Sequence, residues 1–149
     1  MTLSIDKPHF ELLKAYAEEA YPNECCGFLL GEADDAGKTV RATMPTRNER
    51  EAEAQHHRFL ISPEMYLKMQ RYARERGLEI LGFYHSHPNG VARPSAYDVE
   101  HAWPWYSYVI VAVQEGQASE VTSWQLREDR SGFDQEKIVV LEETNALQT

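Results

Sequence analysis

Cysteine is scarce in this 149-residue chain: there are two, Cys25 and Cys26, and they are adjacent. A disulfide between neighbours is strained, which leaves reduced thiols, and no Cys-x-x-Cys pair is present to build a zinc knuckle. Basic charge is also short. Fifteen Lys and Arg stand against 24 Asp and Glu, a formal charge of -9. So acidic a surface is poorly suited to a phosphate backbone, whose grip needs clustered cations that displace counterions. Long apolar runs are missing too. The longest falls far short of the ~20 residues of a membrane span, and no charged-then-apolar leader opens the chain. These absences predict a soluble cytoplasmic protein with no membrane and no nucleic-acid partner. What is there is globular, 42% hydrophobic and 26% charged, with no repeat, linker or biased tract. The length suits a single domain over residues 1–149, and the residues after about 142 read as a flexible tail.

Periodicity places a first helix over Lys7 to Tyr21, with Phe10, Leu12, Leu13, Tyr16 and Ala17 at helical spacing and Pro22 closing it. Cys25 to Leu30 is an apolar run that suits a buried strand, followed by a turn at Asp34–Gly37. Lys38 to Thr46 reads as a weaker strand, Arg47 to Gln55 as a charged loop, and Arg58 to Ile61 as a short strand. Ser62-Pro63-Glu64 opens a second helix, serine capping and proline in the first turn, that runs to about Arg76. Leu78 to Tyr84 is a further buried strand that leads into His85-Ser86-His87, and a third helix begins near Pro94-Ser95. Tyr106 to Val113, Ala118 to Leu126 and Lys137 to Leu141 complete the strands. Interspersed helices and strands predict an α/β (α+β) fold, a mixed sheet with helices packed on it.

The stretch His85-Ser86-His87-Pro88-Asn89-Gly90 carries the chemistry. On a strand, His85 and His87 leave the same face about 6 to 7 Å apart, and Ser86 leaves the other. Two imidazoles in that relation can converge on one ion, and Asp98, in the first turn of the next helix, can add an oxygen. Three protein ligands with a water describe catalytic zinc, since structural zinc is closed by four. Each piece has an ordinary reading as well. Ser95-x-x-Asp98 is a capping arrangement, His-x-His decorates many strand ends, and Glu24 alone is a solvated turn residue. The coincidence of all of them favours a site.

Glu24, then Cys26-Gly27, then His85-x-His87, seven residues, Ser95, two residues and Asp98 is a pattern that resembles the JAMM (MPN+) zinc metallopeptidase family. It resembles most closely the compact bacterial members that process sulfur-carrier proteins, over most of the chain up to about Leu126. The resemblance implies a curved mixed sheet of JAMM/MPN, cytidine-deaminase-like fold. It implies His85, His87 and Asp98 as ligands of one zinc ion per chain, Glu24 as general base, and Ser95 as an oxyanion donor. It also implies a ubiquitin-like sulfur carrier as partner, cut after its C-terminal Gly-Gly. The polar run Arg47 to Arg58 and the stretch after Gly90 are candidate walls for that tail. His101, one helical turn from Asp98, is a candidate supporting residue. His56 and His57 read as surface residues, Trp103 and Trp105 as core or helix-end packing, and neither cysteine as a nucleophile.

Three rivals are weighed against this. A non-catalytic MPN-type interaction scaffold is opposed by the intact set of five residues. A RadC-like nucleic-acid-associated protein shares His-x-His-Pro-x-Gly but is opposed by the charge of -9. A zinc deaminase needs a Pro-Cys-x-x-Cys element that is absent.

Overall fold

The structure, a computed structural model, describes residues 2–48 and 61–142. The expected strand at Arg58–Ile61 (apart from Ile61, which lies in no strand), the expected loop and candidate groove wall Arg47–Arg58 beyond Asn48, the residues His56 and His57, and the expected flexible tail after 142 lie outside the described residues. Chain order is β1 (Thr2–Asp6), α1 (Lys7–Ala20), β2 (Cys26–Asp34), β3 (Gly37–Thr46), α2 (Pro63–Glu75), β4 (Glu79–Pro88), α3 (Ala96–His101), β5 (Ser107–Gln114), β6 (Gln117–Leu126) and β7 (Phe133–Leu141). The seven strands close on themselves in the order β1-β3-β2-β4-β5-β6-β7. Most neighbours are antiparallel; β4 with β5, and β1 with both β3 and β7, are parallel.

The helix boundaries follow the capping chemistry. Asp6 accepts the His9 N–H at the head of α1, Ser62 accepts the Met65 N–H at the head of α2 ahead of Pro63, and Ser95 caps α3. At the turn between β2 and β3, Asp34 Oδ1 accepts the N–H groups of Ala36 and Gly37 at 2.8 and 3.2 Å.

The sheet buries both faces. On one, Leu13 and Ala17 of α1 pack with Leu29, Leu81, Tyr84, Val109 and Val111. On the other, Met69 and Ala73 of α2 pack with Phe28, Leu30, Ile80, Phe83 and Tyr108. Strands covered on both sides read as near-continuous apolar runs, as Tyr108–Val113 does. Cutting Leu13 to alanine would open a cavity at a cost of about 2–5 kcal/mol.

The sequence carries no strand signal for β1, which closes the ring by joining β3 to β7. For Trp103 the core reading is corrected: it lies just past the end of α3, 65% exposed on the strap to β5, with Arg130 over its ring at 5.5 Å. Among the described residues no helix is long and apolar enough to cross a membrane.

Candidate metal centre

The parallel pair β4 and β5 needs a crossover, and that crossover builds the site. β4 delivers His85 and His87 at its carboxyl end, and the connection returns through α3, which holds Asp98 over the same point. Alternation along the strand puts both imidazoles on one face and Ser86 on the other. His85 Nε2 lies 3.1 Å from His87 Nε2 and 3.2 Å from Asp98 Oδ1, and His87 Nε2 lies 3.3 Å from Asp98 Oδ2. Two ligands at about 2.0–2.1 Å in a tetrahedral arrangement stand roughly 3.3–3.4 Å from each other. The two ring nitrogens and the Asp98 carboxylate therefore have the spacing one ion demands, and the three residues form a metal-competent His-His-Asp group.

The partners of His87 and Asp98 turn lone pairs toward that point. His87 Nδ1 donates to the Val91 carbonyl at 2.8 Å, which in the neutral ring leaves the Nε2 lone pair for an ion. Asp98 accepts the Ser95 N–H at 2.8 Å through Oδ2, while its own N–H donates to Ser95 Oγ at 3.1 Å. This capping box does two jobs, opening α3 and aiming the carboxylate. Ser95 uses only an acceptor lone pair in that bond, so its hydroxyl proton remains to be given elsewhere.

Electrostatics agree with a cation site. Burial alone would raise the Asp98 pKa, but His85, His87 and the Ser95 N–H hold it well below the usual carboxylate range. Burial alone would lower the His87 pKa; Asp98, the Val91 carbonyl and Glu24 raise it instead.

Glu24 enters from the residue pair preceding β2. The β2–β4 register pairs Cys26 with His85, so two further steps bring Glu24 level with His87. Ser86 fixes that approach from the opposite face: its Oγ accepts the Cys25 N–H at 2.8 Å, and its own N–H donates to the Cys25 carbonyl at 3.2 Å. Glu24 is 6% exposed, and burial pushes its carboxyl up to about 7, against the opposing pull of His85 and His87. Gly27 follows for a steric reason. A Cβ there would lie 2.3 Å from the Tyr84 ring, so no larger residue lets β2 pass that phenol.

The five residues singled out from sequence thus sit around one point, three with side chains in contact, Ser95 bonded to Asp98, and Glu24 within electrostatic reach. His101 does not join them. It is exposed, stacked on Tyr97 with ring centroids 4.0 Å apart and bonded to the Tyr97 carbonyl. Burial pushes the Cys25 thiol up to about 11, which makes it a poor nucleophile, and Cys26 is buried packing. Two supports were not assigned from sequence. The Val91 carbonyl carries no side-chain signal at all, whereas a serine within an apolar strand, on the face opposite two histidines, is a signal that could have found Ser86.

A mixed seven-strand sheet with a His-His-Asp group outside a parallel strand pair defines the JAMM/MPN α+β class. Residues 6–127 match the sequence profile described as prokaryotic homologs of the JAB domain, and the chain belongs to that family. Over 90 residues it is 38% identical to a desampylase of Haloferax volcanii, a match covering 60% of this chain and 62% of that protein, less than two thirds of the relative's length. A solution structure of a Desulfitobacterium hafniense protein is similar at 31% identity and a TM-score of 0.85, covering 99% of this chain and 98% of the other. A crystal structure of a JAB1/MPN domain protein from Archaeoglobus fulgidus, at 18% identity and a TM-score of 0.57 over 94% and 97% of the two chains, shares the fold.

Proposed function

We propose that this protein is a zinc-dependent peptidase or isopeptidase that hydrolyses the bond after the C-terminal Gly-Gly of a ubiquitin-like sulfur-carrier protein. The observation that carries the reading is the convergence of His85, His87 and Asp98, with donor atoms 3.1 to 3.3 Å apart. Family membership and likeness to a relative named a desampylase support a hydrolase of this class.

His85, His87 and Asp98 would hold one zinc ion, whose Lewis acidity makes water a nucleophile near neutral pH and polarises the scissile carbonyl. Glu24 takes a proton from the attacking water and returns it to the departing amine. In the metal-free chain burial raises this carboxyl to about 7, and a cation held by His85, His87 and Asp98 would draw it back toward the ionised form that accepts a proton. Ser95 donates a hydrogen bond from its hydroxyl to the carbonyl oxygen as charge develops there; losing one donor of this kind costs about 100- to 1000-fold in rate. The Val91 carbonyl and the Ser95 N–H hold His87 and Asp98 in place, so the donor set is preorganised.

The test measures zinc content and hydrolysis together, on a Gly-Gly-ended carrier extended by a short peptide, for wild type and Glu24→Gln. Zinc in both proteins with cleavage by wild type alone is the expected result. Zinc with no cleavage removes the substrate assignment, and a folded protein that binds no zinc removes the metal site.

A further inference from the structure

Beside the metal centre lies an apolar groove of about 810 Å³, within the usual range of ligand pockets. Phe83, Tyr66, Leu67, Tyr97, Trp103 and Tyr106 line it. Two elements, β4 and α3, carry residues of both the groove and the site. Phe83 stands two residues before His85 on the same face of β4, one strand repeat or about 6.6 Å away. Tyr97 immediately precedes Asp98 on α3.

The lining is built to present ring faces. The Tyr66 and Tyr106 hydroxyls bond each other at 2.7 Å, and the Tyr108 hydroxyl accepts the Trp103 N–H at 2.9 Å, so the polar ends of these phenols are engaged in bonds of their own. Leu67 is 60% exposed and Trp103 65% exposed, two of the most exposed large apolar side chains among the described residues, and both line this groove. Two such residues converging on one concavity next to a reactive centre mark a binding surface rather than scattered surface apolarity.

We propose that the groove is the leaving-group subsite, which takes a bulky aliphatic or aromatic side chain carried one or two residues beyond the scissile bond. The inference rests on the proposed Gly-Gly reading. An extended chain advances about 3.3–3.6 Å per residue, so the groove wall falls about two residues from the bond. On the acyl side those two residues are glycines, which have nothing to fill an aromatic groove. The side chains that reach it belong to the departing segment.

The test uses the zinc-loaded full chain and a carrier ending in Gly-Gly followed by Leu-Phe, Ser-Ser or Asp-Asp. The expected kcat/KM for the Leu-Phe extension exceeds that for Ser-Ser by about tenfold or more. In the double variant Leu67→Glu, Trp103→Ala, whose sites are exposed enough to leave folding intact, that ratio falls toward one. A ratio near one in wild type overturns the proposal. So does a variant that loses all three substrates equally, which assigns the groove to the carrier body. So does a dimer that Leu67→Glu dissociates with the ratio unmoved, which assigns it to a second copy. If no substrate is cleaved, tryptophan fluorescence of the metal-free protein with the peptides Gly-Gly-Leu-Phe and Gly-Gly-Ser-Ser separates the two ideas. A saturable response to Leu-Phe alone, lost in Trp103→Phe, keeps the groove and discards the reaction. No response discards the groove.

Discussion

The Ser86 hydroxyl oxygen accepts the backbone N–H of Cys25 at 2.8 Å, and this bond ties the Glu24 segment to the strand that carries both histidines. Ser86 is fully buried, so Ser86→Ala removes an acceptor that water does not replace. The expected cost is about 1–3 kcal/mol, read as a lower urea midpoint with an unchanged slope. Because Ser86 faces away from the metal site, zinc content stays at one per chain while kcat falls. Loss of zinc together with activity would show that Ser86 supports the histidines and not Glu24.

The site was largely legible in the sequence because its parts obey local rules. His85 and His87 share a face through strand alternation, and Ser95 with Asp98 declares itself as a capping box. Ser62-Pro63 set the start of α2 for the same reason. The ring closure was not legible. Thr2–Asp6 is five residues long and merges into a helix, and its value lies in parallel pairing with Lys38–Thr39 and Lys137–Leu141, contacts far away in the chain. The early start of β7 at Phe133 was missed because Asp134, Gln135 and Glu136 look like a polar loop; the buried carboxylate of Glu136 accepts from the Ser107 and Ser123 hydroxyls at 2.7 and 2.8 Å. A charged residue buried by distant partners leaves no local trace. Trp103 shows the opposite limit: a large apolar side chain reads as core from its chemistry, yet here it stands just past the end of α3 on a groove wall.

Zinc added to metal-free protein should raise its stability, because an ion that binds only the folded state stabilises by mass action, about 2.7 kcal/mol at a hundredfold excess over Kd. His85→Ala and Asp98→Ala remove a donor each, and in both the thermal shift should vanish. Differential scanning with and without a chelator reads this directly. An undiminished shift in both variants would place the ion elsewhere.

Glu24 should cost the metal-free protein stability. Its ordinary value is 4.5 and burial raises it to about 7 in the folded chain. Between those values the folded state keeps a proton that the unfolded state has lost, so stability falls as pH rises from 4.5 to 7. Glu24→Gln removes that cost. In chelator, the variant should match wild type below pH 4.5 and exceed it above pH 7, by about 1–3 kcal/mol. Denaturant midpoints across this range test it, and a variant less stable than wild type at pH 8 refutes the buried-charge account.

The opposite slope belongs to Lys38, buried at the far end of the ring from the metal centre. Its ammonium donates to Ser107 Oγ at 2.9 Å and to the Trp105 carbonyl, and lies 4.3 Å from the centroid of the Trp105 ring. Ser107 passes the bond on to Glu136, so charge at both ends is joined through one hydroxyl. Burial lowers the Lys38 pKa from 10.5 to about 8, although Glu136 and Glu79 oppose that shift. Between pH 8 and 10.5 the unfolded chain holds a proton that the folded chain has released, so this group makes stability rise with pH, by about 3 kcal/mol at most. Cys25, raised by burial from 9.0 to about 11, pulls the other way above pH 9, so the comparison needs a variant that keeps it. Wild type minus Lys38→Met should therefore climb between pH 8 and 10. A difference that stays flat over that window would mean that Ser107, Trp105 and Glu136 fully compensate the buried ammonium.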